Sequence, residues 1–218
     1  MTAPPRSPTD HNAALAQYRR RAGVYDLELA LFEPVRRQAI ARLALRVGET
    51  VLDVGCGTGL SLPLLRRELG AAGRIVGIEQ CPEMIAKARA RVTQHRWRNV
   101  ELINASAEAV KLRGRVDAAV FHFTHDILRD PRAVAHVMRH LKPGARVVAS
   151  GLQWAGFWAW PVNFFVLGAA LRSVTTLDGL SRPWSHLGAH LAHVTVDTAM
   201  AGGVYIVSGS VIDKETRA

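Results

Sequence analysis

Cysteine is scarce in this chain. Its 218 residues contain two, Cys56 and Cys81, far apart and without a metal-like or disulfide-dense pattern. Free, reduced thiols are expected. The opening residues MTAPPRSPTDHN carry no apolar stretch of the kind that begins a secretory signal, so the expectation is a cytoplasmic protein. Acidic residues are also short in supply, 18 Asp and Glu against 28 Lys and Arg, which leaves a net charge of +10. Such an excess would draw a protein to nucleic acid or to an anionic membrane surface. Here the basic residues are spread over separate segments, YRRRAG, PVRRQAIAR and KARARV, as on Arg-rich helical surfaces. No nucleic-acid recognition module is visible, and no such partner is expected. Internal repeats and low-complexity tracts are absent as well.

Long hydrophobic runs are nearly absent too. Trp154 to Leu171, WAGFWAWPVNFFVLGAAL, is the one uncharged stretch that reaches the length of a membrane-spanning helix. Pro161 and Asn163 interrupt it, Gly156 and Gly168 weaken it, and its tryptophans crowd one end. It reads instead as a buried or interface-seeking cover element.

What is present is alternation. Hydrophobic residues make up 49% of the chain, enough to build a core. Helical patterns span 12–22 and 32–45, the second with Pro34 near its first turn. Strand patterns follow at TVLDV (50–54), RIVGIE (74–79), VELIN (100–104), VDAAVFHF (116–123) and ARVVASG (145–151). Helices are predicted between them at 60–69, 82–92 and 130–141, with Asp130 as N-cap of the last. Short apolar strands separated by helices predict a parallel sheet covered on both faces. Two closely spaced strand patterns, 192–196 and 203–209, predict an antiparallel hairpin that closes the sheet.

In a sheet of this kind, ligands bind beyond the carboxyl ends of the strands. There VLDVGCGTGL (51–60) sets Gly55, Gly57 and Gly59 on alternate positions. Glycine permits unusual backbone angles and lets a ligand approach the main chain, and the following helix points its N-terminal N–H groups at the same place. A dinucleotide fingerprint would need glycine at position 60, which is Leu60, and a phosphate loop would need Gly-Lys-Ser/Thr. What remains is G-x-G-x-G preceded by Asp53, a carboxylate able to hold a cationic amino group. Glu79, at the end of the second strand, can accept from both hydroxyls of a ribose. Alone it reads equally as a solvated charge, but beside the loop it completes a nucleoside site.

VLDVGCGTGL, IVGIEQCPEMIAKAR and LKPGARVVAS, at these intervals, resemble the class I S-adenosylmethionine-dependent methyltransferases over roughly residues 18–151. YRRRAGVYDLELALFEPVRRQAI is similar to the leader of their small-molecule and lipid branch, which includes quinone-ring and phosphatidylethanolamine N-methyltransferases. The resemblance implies an α/β fold with a doubly wound, seven-stranded, mostly parallel, Rossmann-like sheet. It divides the chain into a tail (1–10) and one domain (11–218), with a helical cap (11–46) and an aromatic cover segment (152–190). The cofactor implied is S-adenosylmethionine, with S-adenosylhomocysteine as product. Asp53 and the Gly55–Gly59 loop, with Cys56 and Thr58, would hold its methionine part. Glu79 would hold the ribose, Gln80 and Met84 would flank the adenine, and Tyr18 or Tyr25 would lie over the cofactor. Ser106 stands where many relatives carry Asp and leaves an uncharged adenine contact. Ala107 and Phe121 complete the expected set.

Methyl transfer from a sulfonium is an in-line displacement, and a base is needed only when the acceptor must lose a proton. In FHFTHD at the end of the fourth strand, His125 is the first candidate base, with Asp126 to orient it and His122 second. Trp154, Phe157 and Trp158, with Trp160 and Phe164, would line an apolar or aromatic acceptor pocket. His186, His190 and His193 would share a face if helical, but no Cys or carboxylate joins them, and no metal is expected. The acceptor is expected to be a small molecule. A lipid head group at an anionic membrane, with the protein bound peripherally, and a non-catalytic cofactor-binding protein are the alternatives, and a homodimer is left open.

Overall fold

The structure is a computed structural model and describes residues 29–155, 159, 162–164, 166–167 and 179–213. Tyr18, Tyr25, Phe157, Trp158 and Trp160 lie outside the described residues, as do the tail and the first half of the expected helical cap.

Helix α1 (Glu33–Arg42) starts with Pro34 in its first turn and buries Val35, Arg36, Ala39 and Ile40. It is shorter than the sequence pattern suggests. Leu43 still packs in the core, but Ala44 turns to φ +44 and ends the element. Strand β1 (Thr50–Val54) leads to α2 (Leu62–Leu69), β2 (Arg74–Glu79), α3 (Pro82–Gln94), β3 (Val100–Asn104) and β4 (Val116–His122). A single turn, α4 (His125–Leu128), precedes α5 (Pro131–Arg139), β5 (Leu141–Leu152), α6 (Ser185–Gly188), β6 (Leu191–Ala199) and β7 (Val204–Val211).

The sheet has seven strands in the order β3-β2-β1-β4-β5-β7-β6. β1 pairs in parallel with β2 and β4, β2 with β3, and β4 with β5, whereas β7 runs antiparallel to both β5 and β6. The doubly wound sheet and its closing hairpin are therefore as the sequence predicts. The start of β5 is not, because Leu141 already pairs with Val116. The next paired residues are Ala118 and Arg146, so a bulge absorbs the Lys142-Pro143-Gly144 turn inside the strand.

Strand residues alternate between two cores. Leu52, Val54, Ala119 and Phe121 point to one face, beneath α5 and α6. Val51, Ala118 and Val120 point to the other, beneath α1 and α2. By the same alternation Asp53 and His122 project on the α1 side, and Asp53 sits opposite Val120 in the register. This periodicity brings a carboxylate and an imidazole to one face where the winding reverses, between β1 and β4.

No helix among the described residues is long and apolar enough to cross a membrane. Just beyond β5, the Trp154 N–H donates to the Leu180 carbonyl, and the Ala155 N–H donates to Asn163 Oδ1 at 2.8 Å.

Asp130 caps α5, its Oδ1 accepting from the Arg132 N–H at 2.9 Å. The helix then buries Ala133, Val134, Val137 and Met138 against the sheet. Asp130→Ala is expected to lower stability by about 1 kcal/mol. Urea unfolding reads this directly, and an unchanged midpoint would show that the cap contributes nothing.

Candidate functional site

A cleft opens at the reversal point, lined by Asp53, Gly55, Cys56, Gly57, Thr58, Leu60 and Ser61 from β1 and its loop. Leu29 and Arg36 line it from the α1 region, and His122 and Phe123 from the end of β4. Of the sequence-predicted residues, the cleft thus unites Asp53, Gly55, Cys56, Gly57, Thr58 and His122.

The loop's sharp path requires its glycines. Gly55 has φ +68, and a Cβ there would strike Thr124 Cγ2 at 2.6 Å. Gly57 has φ +56, and its N–H donates to Glu79 Oε2 at 3.0 Å. Glu79 Oε1 accepts from the Cys81 N–H at 2.8 Å, so both oxygens already hold main-chain partners. Each retains lone-pair capacity for a hydroxyl donor. Burial pushes the Glu79 carboxyl upward, opposed by these N–H bonds. Glu79 therefore braces the loop from β2, and Arg91 of α3 braces it from the other side by donating to the Thr58 carbonyl.

Asp53 is almost fully buried, and its Oδ2 has no hydrogen-bond partner. Burial raises its pKa to about 7; the Arg36 cation lowers it and the Glu79 charge raises it. His122 is also buried. Its Nδ1 shares a 2.8 Å hydrogen bond with Ser150 Oγ, its cross-strand neighbour, while Nε2 is unpartnered. Burial, reinforced by Arg36, lowers its pKa to about 3, so the imidazole is neutral. Phe123, next in sequence, takes φ +54, a left-handed backbone uncommon outside glycine. Cys56 is a buried thiol pushed upward first by burial and then by Asp53, which leaves it a protonated spacer.

The other expected residues that are described, Glu79 included, are not in the lining of this cleft. Phe121 and Ala107 sit in the core on the far face of the sheet. Gly59, Gln80, Met84 and Ser106 do not line the cleft; Met84 is buried on α3, and the Ser106 carbonyl accepts from the Ala109 and Val110 N–H groups. His125 and Asp126 are buried in α4, and neither lines the cleft. Trp154 is half-buried against the α1-side core. His186, His190 and His193 fall on α6, the following turn and β6, so they share no helical face. The described residues hold no group of three or more ligands suited to a metal ion.

Sequence reasoning missed Arg36, Leu29, Leu60, Ser61 and Phe123. A signal for Arg36 existed: Arg36, Ile40 and Leu43 recur at helical spacing, which places a guanidinium on an otherwise apolar stripe.

The neutral burial of His122 has a pH consequence. Its folded pKa is depressed below the ordinary 6.5, so its stabilising contribution is full above that value and is lost as pH falls toward 3. Relative to His122→Asn, the wild-type protein should lose about 2 kcal/mol between roughly pH 7.5 and 5. Urea titrations at both pH values test this, and a constant gap would show that the imidazole is not buried neutral.

Residues 51–144 match the family model described as a methyltransferase domain. An uncharacterized 37.1 kDa protein in transposon TN4556 of Streptomyces fradiae is 31% identical over 157 residues, covering 72% of this chain and 44% of that protein. A 2-phytyl-1,4-naphtoquinone methyltransferase of Thermosynechococcus vestitus is 30% identical over 138 residues, 60% of each chain. The chain spans about half the length of the curated relatives it matches. Among solved structures, the N-methyltransferase NodS from Bradyrhizobium japonicum WM9, in complex with S-adenosyl-L-homocysteine, shares the fold. Its TM-score is 0.60 at 17% identity, over 84% of this chain and 88% of that one.

Proposed function

We propose that this chain, whose residues 51–144 match a methyltransferase domain, acts as a class I S-adenosylmethionine-dependent methyltransferase on an oxygen, nitrogen or carbon atom of a small, mainly apolar or aromatic acceptor. The observation that carries this reading is the cleft itself. It sets the loop that fits the donor's amino-acid end beside the end of β4, where His122 and Phe123 meet the apolar Leu29 and Leu60. The naphtoquinone named in one relative is an acceptor of the proposed kind.

The residues fit the donor on two counts. Asp53 Oδ2 is a buried acceptor with no partner, suited to an ammonium group, and the positive-φ glycines leave the loop backbone approachable. When bound, the donor supplies an electrophilic methyl on a sulfonium sulfur. The chain's own part is then alignment, which can contribute several kcal/mol. His122 presents a neutral Nε2 to the acceptor's hydroxyl or amine. With its pKa lowered to about 3, it orients that group at neutral pH and does not carry the proton away. His125, buried in α4, takes no part in lining this cleft.

Two measurements test the reading. Glu79→Ala should weaken S-adenosylhomocysteine binding about tenfold or more, given ~1.5–3 kcal/mol for hydrogen bonds to a charged group. Unchanged calorimetric affinity sinks the ribose assignment. Separately, release of S-adenosylhomocysteine is assayed with naphthalenediols and phenols, and with vesicles of phosphatidylethanolamine mixed with anionic lipid, the lipid head group at an anionic membrane being the second reading. Turnover confined to the vesicles would replace the small acceptor with a lipid, and binding without turnover on any acceptor would favour a non-catalytic protein.

A further inference from the structure

Basic residues that are scattered along the sequence converge at one edge of the sheet. β3, β2, β1, β4 and β5 are adjacent and parallel, so their amino ends share the edge opposite the cleft. Main-chain bonds knit the segments there together. The Arg74 N–H donates to the Glu49 carbonyl, the Ile75 N–H to the Asn99 carbonyl, and the Val116 N–H to the His140 carbonyl. The Thr50 N–H donates to Asp117 Oδ2 at 2.9 Å.

Residues 44–49, 70–74, 94–101, 111–117 and 139–146 form this edge and hold ten Lys and Arg against three acids. They carry seven of the chain's ten excess positive charges. The acids are already paired within the edge, Glu49 with Arg146, Glu101 with Arg74 and Asp117 with Lys142. Arg46, Arg96, Arg98, Lys111, Arg113 and Arg115 are exposed, and among the described residues no acid pairs with any of them. Like charges gathered at one edge repel one another and favour counter-charge from outside.

Two features favour a lipid surface over nucleic acid as its source. Nucleic-acid strands are commonly held by bases that stack on open aromatic rings. The edge has one Trp, Tyr or Phe, and this Trp97 is half-buried. Its ring is stacked on His95 at 4.8 Å, with the Arg66 guanidinium 5.2 Å from the ring centre. Val47, in contrast, is 74% exposed beside Arg46, an apolar side chain able to enter the layer beneath anionic head groups.

We propose that this edge docks the protein on an anionic lipid bilayer, whose head groups supply the anions that Arg46, Arg96, Arg98, Lys111, Arg113 and Arg115 lack. None of these residues lines the cleft, so the surface does not depend on the cofactor reading. The strands between edge and cleft are five to seven residues long, which separates the two by roughly 17–23 Å. Docking therefore leaves the cleft open to solvent. The protein is held at a membrane while its acceptor arrives from solution.

Co-sedimentation of the full chain with vesicles tests the surface. The wild type should bind phosphatidylglycerol–phosphatidylcholine vesicles, ignore pure phosphatidylcholine, and dissociate as added salt screens the charges. Each basic residue near an anionic surface strengthens partitioning roughly fivefold. Removing three together, Arg98→Gln, Arg113→Gln and Arg115→Gln, should therefore weaken binding about a hundredfold. Lysine at the same positions should restore it. A control that removes equal charge from exposed sites off this edge, Arg89→Gln, Arg132→Gln and Arg182→Gln, should lose far less. Urea midpoints near that of the wild type show that each variant is folded. Equal losses in the two glutamine variants, or no loss in the first, overturn the edge as the docking surface. A wild type that ignores anionic vesicles but binds single-stranded RNA through the same arginines makes the partner nucleic acid, and the lipid assignment falls. Methylation of the head groups of the bound vesicle overturns the orientation, because the cleft must then face the bilayer. Loss of S-adenosylhomocysteine binding with vesicle binding intact would instead sink the cofactor reading and leave the docking surface standing.

Discussion

A carboxylate buried where the sheet reverses its winding is the constraint on which the site depends. Asp53 lies at the centre of a seven-stranded sheet, in parallel pairing with β2 and β4. Removing a charge from water costs several kcal/mol even after relaxation. The surroundings divide over that cost: Arg36 favours the ionised form, while burial and Glu79 oppose it. The balance near neutrality leaves Asp53 sensitive to whatever enters the cleft, and a cationic group there would tip it to the carboxylate. His122, held neutral by burial and by the same Arg36, adds no second cation to compete for that role.

The glycine loop gains its rigidity from neighbours and not from its own residues. Glu79 ties the Gly57 amide to β2, Arg91 ties the Thr58 carbonyl to α3, and the Cys56 N–H donates to the Ile78 carbonyl. Gly77 matters for the same reason. A Cβ on it would come within 3.0 Å of Cys56 Sγ and 2.7 Å of Leu102 Cδ2, so the loop could not seat against β2. A flexible sequence is thus converted into a fixed main-chain cradle by three separate elements, the kind of support that a precise binding site requires.

The architecture was legible in the sequence because its determinants are local. Strand β1 is largely a run of apolar residues with one acid, three helices carry Pro34, Pro82 and Pro131 in their first turns, and Asp130 caps as its position suggests. The features that escaped depend on long-range pairing. Leu141 joins β5 because Val116 lies beside it, and no pattern within the segment requires that. His122 reaches the cleft and His125 does not, because Phe123 adopts a left-handed backbone that ends the strand between them and turns the chain into α4. Phe121, which the resemblance includes in the cofactor set, packs by its parity in the core on the opposite face. Arg36 fell between the two kinds of signal. Its place on the buried stripe was readable, but its place at the cleft appears only when α1 packs over β5 and β7.

The basic charge of the chain takes on a different meaning once it is divided by environment. Arg42–Asp197, Arg74–Glu101, Lys142–Asp117 and Arg146–Glu49 join elements distant in sequence, and each has at least one side chain partly open to solvent. Such pairs contribute little to stability, about 0–1 kcal/mol each, and are screened by salt. They also use acidic residues that are few, so the remaining surface is strongly positive whatever the protein's partners are. Net charge therefore discriminates poorly among those partners. A buried cation discriminates well, because in low dielectric it must be matched by a specific anion or it destabilises its surroundings. Among the described residues Arg36 is the one Lys or Arg that is buried, and it faces the cleft. That cation is matched within its own helix by Glu33, at 2.6 Å.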